Sequence, residues 1–138
     1  MKWIKEDYWI TDDKDRVDLD YIAASLQTTY WAKERPKALI EKSIENSFFL
    51  TLFKGERPIG FARIVSDCAV FAWLCDVFVD PDFRGGGLGK WLVQCALEHD
   101  SMHVKINLLA TKDAHGLYEK FSFERKECMV RYNKADSA

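Results

Sequence analysis

The stretch that decides the fold is residues 77–90, which read VFVDPDFRGGGLGK. Val77–Val79 closes an apolar run typical of a buried strand, and Pro81 ends that strand because proline cannot donate to a sheet. Four glycines follow Arg84 within five positions, and Leu88 begins a pattern of apolar residues at helical spacing. The order is therefore strand, glycine-rich loop, helix.

This order predicts a site for an anion. Because Gly85–Gly87 lack Cβ atoms, their backbone N–H groups can approach a phosphate, and the helix N-terminus adds about half a positive charge. A Walker loop would need Ser or Thr after Gly89-Lys90, where Trp91 stands, and the dinucleotide motif Gly-x-Gly-x-x-Gly does not occur. ATPases, GTPases and dinucleotide enzymes are therefore disfavoured. A glycine turn that only links strand to helix is the structural alternative.

Upstream of the loop, periodicity predicts one strand, two helices and a meander of three strands. The first strand spans Trp3–Ile10, and Asp18 or Asp20 caps a helix whose apolar stripe extends to Tyr30. Pro36 starts the second helix. The meander consists of Phe48–Phe53, Ile59–Val65 and Val70–Val79, and the first two of these strands flank a hairpin turn with Gly and Pro.

Downstream, the pattern predicts a helix from Leu88, a buried strand over Val104–Leu109 and a short helix over Ala114–Phe121. A final strand is predicted over Cys128–Tyr132.

Composition limits the class of protein. The 138 residues predict a single domain, 1–138, and 48% hydrophobic with 14% aromatic residues are too many for a disordered chain. A net charge of −2 disfavours a general nucleic-acid binder. The longest apolar run has eight residues, well short of the roughly 20 that cross a bilayer. The charged N-terminus is unlike a secretion signal, so we expect a cytoplasmic protein without membrane partners. The cysteine and histidine spacing predicts no metal site.

Two motifs resemble the GNAT superfamily of N-acetyltransferases. Arg84, Gly87 and Gly89 match its acetyl-CoA loop, Gln/Arg-x-x-Gly-x-Gly/Ala. The final helix is similar to the family pattern Asn-x-x-Ala-x-x-Leu-Tyr-x-Lys-x-Gly-Phe, which is matched in register by Thr111, Ala114, Leu117, Tyr118, Lys120, Ser122 and Phe123. Thr111 and Ser122 depart from the family's Asn and Gly. The hydroxyl of Thr111 can still cap the helix, and Ser122 would be strained at a positive φ.

The resemblance implies an α/β fold of layered α+β type, with a GNAT-like mixed, mostly antiparallel central sheet and helices on both faces. It implies direct acetyl transfer from acetyl-CoA, without a covalent acyl-enzyme, to a primary amine of a small molecule or peptide, and it leaves a homodimer open. The residues implied to bind acetyl-CoA are Val77, Phe78, Val79, Arg84, Gly85, Gly86, Gly87, Leu88, Gly89, Lys90 and Thr111.

The resemblance also implies that Tyr118 donates a proton to the departing thiolate. Asp76 is the candidate base, because a lone carboxylate in an apolar run must be paired, hydrogen-bonded or functional, and a structural role is equally open. His115 and water are the alternatives for proton transfer. Cys75, expected on the opposite face of the strand from Asp76, is interpreted as a small hydrophobic residue. Tyr30 and Trp31, predicted at the end of the first helix, are candidates for the acceptor-site wall.

Two other classes of function stay open from the sequence. One is a non-catalytic domain that binds or senses acyl-CoA, and the other is a protein-interaction domain whose aromatic residues form a docking surface. Measurable acetyl-CoA affinity would argue against the second class, and thiol release with an amine would argue against the first.

Overall fold

One six-stranded sheet organises the chain. The computed structural model describes residues 1–133, and the sheet order follows the chain from β1 to β6. All neighbouring strands are antiparallel except β5 and β6, which are parallel. The strands are β1 (Lys2–Lys5), β2 (Tyr8–Thr11), β3 (Phe48–Lys54), β4 (Arg57–Ser66), β5 (Phe71–Val79) and β6 (Ile106–Leu108). The predicted domain 1–138 includes residues 134–138, which lie outside the described part of the chain.

In the described part of the chain, four α-helices accompany the sheet: α1 (Leu19–Leu26), α2 (Lys37–Glu45), α3 (Leu88–Glu98) and α4 (His115–Glu119). Asp18 is the N-cap of α1, where its Oδ1 accepts a hydrogen bond from the Tyr21 N–H at 3.0 Å. Pro36 precedes the first residue of α2, as its fixed φ and missing N–H favour. Gly87 stands at the N-cap of α3 with a φ of 84°.

Helices cover both faces of the sheet. Side chains alternate along each strand, so neighbouring residues of a strand pack on opposite faces. On β3 and β4, Leu50 and Ala62 belong to the core cluster that includes α3, whereas Phe49 and Phe61 belong to the cluster that includes α1 and α2. The two clusters therefore lie on opposite faces. The predicted mixed, mostly antiparallel sheet with helices on both faces is confirmed.

Two predicted elements near the N-terminus differ in the structure. The single strand over Trp3–Ile10 is wrong: β1 and β2 form a hairpin that turns at Glu6, whose φ is 57°. Asp7 is a residue type that favours turns, but Glu6 is not, and hydrophobic periodicity does not reveal a turn of two residues. Helix α1 ends at Leu26, so Tyr30 and Trp31 lie in the connection to α2 rather than on the helix.

The predicted final strand over Cys128–Tyr132 is also wrong. These residues have no regular secondary structure, and Met129 and Tyr132 are 97% and 88% exposed. Apolar residues that bury no surface cannot offset the entropy of ordering a strand. The preceding strand, predicted over Val104–Leu109, is limited to Ile106–Leu108 because β6 pairs with β5 only across Phe71–Trp73.

Candidate active site

A β-bulge in β5 shapes the site. Phe61 pairs with Phe78 and Arg63 pairs with Cys75, so two residues of β5 oppose one of β4. Asp76, at the bulge, has a φ of 51°, which is rare for a residue other than glycine. Cys75 stands opposite Arg63, and Arg63 Nε donates to Asp76 Oδ2, so the bulge places Cys75 and Asp76 on the same face, beside the cleft that both line. The expectation that they lie on opposite faces is wrong.

The cleft opens where β5 and β6 separate. It has a volume of about 550 Å³, and it lies between residues 73–77 of β5 and the segment 109–114 that follows β6. Tyr118 of α4 lines it, as do Tyr30 and Trp31 from the connection after α1. The fold thus brings together the predicted acid, the predicted base and the predicted acceptor wall.

Asp76 is held by three donors. Its Oδ2 accepts hydrogen bonds from Arg35 Nη1 at 2.9 Å and from Arg63 Nε at 2.8 Å, and its Oδ1 accepts one from Trp31 Nε1 at 3.1 Å. The side chain is only 3% exposed, so this carboxylate depends on those partners for its charge to be tolerated. The sequence left open whether Asp76 is paired or catalytic, and these contacts directly support the interpretation that it is paired.

Arg35 and Arg63 are site residues that the sequence interpretation missed. Arg35 lies in the connection before α2, in the charged turn Glu34-Arg35-Pro36 that follows Tyr30 and Trp31, and this position is the signal that could have identified it. Arg63 is the one charged residue in the apolar stretch Ile59–Val65 of β4, the same signal that drew attention to Asp76. A second guanidinium contact fixes Arg63, whose Nη1 donates to Ser47 Oγ at 3.0 Å.

Tyr118 is half-buried in the cleft wall, and its hydroxyl has no hydrogen-bond partner among residues 1–133. Burial, followed by the nearby Tyr30 and Asp113, raises the pKa of Tyr118 to about 12. The phenol therefore keeps its proton at neutral pH and can act as a donor. His115, one turn away on α4, does not line the cleft.

The two departures from the family motif have clear structural consequences. Thr111 Oγ1 accepts a hydrogen bond from the Ala114 N–H at 3.0 Å, but Ala114 precedes the first residue of α4 and no side chain caps that helix, so the predicted cap is wrong and the hydroxyl orders the segment before the helix instead. Ser122 has a φ of 70°, the positive value that the family's glycine would adopt without strain. Thr111 also lines the cleft.

The glycine loop lies beyond the other end of β5. Gly85 and Gly87 have φ values of 91° and 84°, and a Cβ at either position or at Gly86 would meet open space. Within the described chain, the backbone N–H groups of residues 85–90 donate to no protein acceptor. Six unpaired N–H groups at the start of an 11-residue helix suit a phosphate. Arg84 Nε donates to the carbonyl of Val79 at 2.7 Å, which ties the loop to β5.

Comparison with known proteins identifies the family. Residues 45–125 match the family described as the acetyltransferase (GNAT) domain, which is more than half of the chain. The chain belongs to the GNAT acetyltransferase family. Its class is therefore that of an N-acetyltransferase, as the two motifs predicted.

Individual relatives support the assignment. A Xanthomonas campestris crystal structure assigned to the GNAT family is 36% identical, with a TM-score of 0.86 over 91% of this chain and 93% of that one. An uncharacterized N-acetyltransferase of Methanocaldococcus jannaschii is 32% identical over 70% of this chain but only 47% of its own length. A Gibberella zeae protein assigned as an acetyltransferase is 26% identical over 87% of this chain and 80% of its own.

Within residues 1–133, no three His, Cys, Asp or Glu side chains are grouped so that they could hold a metal ion. No helix in that range has the length and apolar character needed to span a bilayer.

Proposed function

We propose that this protein transfers an acetyl group directly from acetyl-CoA to a primary amine of a small molecule or peptide, as a single-domain cytoplasmic enzyme. The observation that carries the proposal is the course of β5. Its residues 75–77 line the cleft with Tyr118, and the strand ends at Val79, from which a short turn over residues 80–84 leads to the loop with unpaired N–H groups. One strand thus connects an anion site to a proton donor.

The chain has groups suited to both ends of acetyl-CoA. The N–H groups of residues 85–90 would donate hydrogen bonds to the pyrophosphate, and the open space at Gly85–Gly87 would let it approach. Between loop and cleft, Val77–Val79 have no β6 partner, because β5 pairs with β6 only across residues 71–73. This free strand edge would offer backbone groups to the pantetheine amides.

The chemistry requires a neutral amine, stabilisation of the thioester oxygen and a proton for the departing thiolate. We assign the proton to Tyr118, since its hydroxyl is unpaired in the described chain and its raised pKa keeps it protonated. Asp76 is a weaker candidate for the base than the sequence suggests, because three donors already occupy its oxygens. We therefore assign Asp76 to positioning Trp31 and the two arginines, and we assign removal of the amine proton to water.

Acetyl-CoA binding is tested by a side chain in the loop. Gly87→Val should abolish the thermal shift produced by acetyl-CoA, because its bulk occupies the space before the N–H groups. Gly55→Val is a matched control: Gly55 also has a positive φ, 59°, and open space around it, but it lies in the turn between β3 and β4. Both variants carry backbone strain, so only loss of binding confined to Gly87→Val supports the loop assignment.

The acid is tested by Tyr118→Phe, which removes one oxygen. Turnover should fall by roughly 10²- to 10⁴-fold with acetyl-CoA affinity nearly unchanged, because proton donation acts mainly in the transition state. Tyr132→Phe, at an exposed tyrosine, is the control and should keep full turnover. Undiminished turnover in Tyr118→Phe would exclude the acid role. Acetyl-CoA binding without release of the CoA thiol in the presence of any amine would contradict the transferase proposal.

A further inference from the structure

We propose that the acceptor amine of this enzyme carries an anionic group, a carboxylate or a phosphate, which Arg35 and Arg63 bind. The inference rests on the proposed function and narrows its acceptor class. It starts from the arginine pair at the acceptor end of the cleft, where Trp31 and Tyr30 also stand. Neither arginine is needed for the proton donation assigned to Tyr118.

The pair has more positive charge than its carboxylate can balance. Arg35 and Arg63 both donate to the same oxygen of Asp76, so two guanidinium groups share one negative charge. The side chains of Arg35 and Arg63 are only 22% and 15% exposed, so water screens this excess incompletely. A partly buried unit of positive charge beside a cleft favours an anionic ligand.

Two further charged groups face this part of the molecule. Asp113 lines the opposite wall of the cleft, and Lys112 Nζ lies 5.3 Å from the centre of the Tyr30 ring. The charges of Asp113 and Lys112 offset each other, so the excess positive charge at the arginine pair remains. The charged groups around the acceptor end are then three cations and two carboxylates: Arg35, Arg63, Lys112, Asp76 and Asp113.

Donor groups remain available on both arginines. Arg63 is fixed by its bonds to Asp76 and Ser47, which leave its Nη2 without an acceptor among residues 1–133. Arg35 uses only Nη1, so its Nε and Nη2 have no acceptor in the same range. Guanidinium groups that are already oriented lose little entropy when they bind a carboxylate or phosphate, and such bonds are stronger than neutral ones. The same groups repel an acceptor that carries a second ammonium.

The test compares acceptors that differ only in the anion. With saturating acetyl-CoA, kcat/KM is measured for an amino acid and its amide, for a hexosamine phosphate and the free hexosamine, and for a polyamine. We expect the anionic member of at least one pair to be favoured by about 10- to 100-fold, the range of a charge-assisted hydrogen bond. The two pairs separate carboxylate from phosphate recognition, and the polyamine should be the poorest substrate.

Arg35→Gln should remove most of that preference by raising KM for the anionic amine, with kcat within a few-fold of wild type. A purely structural effect would lower turnover of both members equally. Arg125→Gln removes one positive charge at an exposed site and should keep the preference. If Arg35→Gln does not fold, Arg35→Lys keeps a charge beside Asp76 but lacks the planar fork, and it should still weaken the preference.

The outcomes separate the two proposals. If neutral or doubly cationic amines are acetylated better than their anionic counterparts, the acceptor inference is overturned and the transferase function stands. If no amine is acetylated, the anion site is tested separately, by calorimetric titration of CoA-saturated enzyme with the amino acid and with the hexosamine phosphate. Binding that Arg35→Gln removes would uphold the anion site although the transferase proposal fails. No binding of either probe would overturn the anion site as well.

Discussion

Replacing Asp76 by Asn tests whether a buried carboxylate holds the acceptor end of the cleft together. Asn keeps the size and one oxygen, but it removes the negative charge that pairs with Arg35 and Arg63 and places an N–H₂ group among three donors. Breaking a buried ion pair by removing one partner costs about 3–5 kcal/mol. Because both arginines retain some contact with water, we expect the lower value, about 3 kcal/mol.

Urea denaturation measures this loss. With a slope of roughly 2 kcal/mol/M, a loss of about 3 kcal/mol lowers the unfolding midpoint by about 1.5 M. Part of the penalty comes from like charges left facing each other, so adding Arg35→Gln to Asp76→Asn should cost less than the sum of the single losses. A loss below about 1 kcal/mol together with additive effects would show that the pair behaves like a screened surface bridge, which would refute the reasoning.

The same variant separates positioning from base catalysis. If Asp76 positions Trp31 and the arginines, kcat/KM of Asp76→Asn should fall by a similar factor at every pH at which the variant is folded. If Asp76 removes the amine proton, the loss should be confined to low pH, where most of the acceptor is protonated.

Three other predictions follow from the pKa shifts and the loop contacts. Burial raises the pKa of Tyr118 to about 12, so the protonated phenol persists above the ordinary tyrosine pKa of 10.0. The pH profile of kcat should therefore not decline up to about pH 11, and a decline centred near pH 10 would contradict this. Asp67 accepts hydrogen bonds from backbone N–H groups, which lower the pKa of its carboxyl below 3.8. Asp67→Asn should therefore be less stable than wild type above about pH 4, and this difference in stability should vanish as pH falls below 3.8. A difference in thermal midpoints that is constant with pH would refute this prediction. Arg84→Ala should weaken acetyl-CoA binding less than Gly87→Val does, and more at low salt than at high salt, as measured by titration; a salt-independent effect would assign Arg84 to its bond with the Val79 carbonyl instead.

Local chemistry determined much of this protein from the sequence alone. The strand, glycine loop and helix over residues 77–90 depend on proline, glycine and apolar spacing, which act between near neighbours, and the structure has them in that order. The cap at Asp18, the start of α2 after Pro36 and the contact of the Thr111 hydroxyl are likewise short-range features. The resemblance to the GNAT family rests on two short-range motifs, the glycine loop and the segment 111–123, and both lie within the matched residues 45–125.

Only the tertiary structure decided what lies in the cleft. The bulge at Asp76 depends on how β4 and β5 pair, and it places Cys75 and Asp76 together where strict alternation would separate them. Arg35 and Arg63 are 28 positions apart and meet only because the connection before α2 packs near β5. The prediction of a strand over Cys128–Tyr132 was wrong for a related reason. A strand forms where a segment has a partner strand and buries surface, and the composition of the segment does not indicate either.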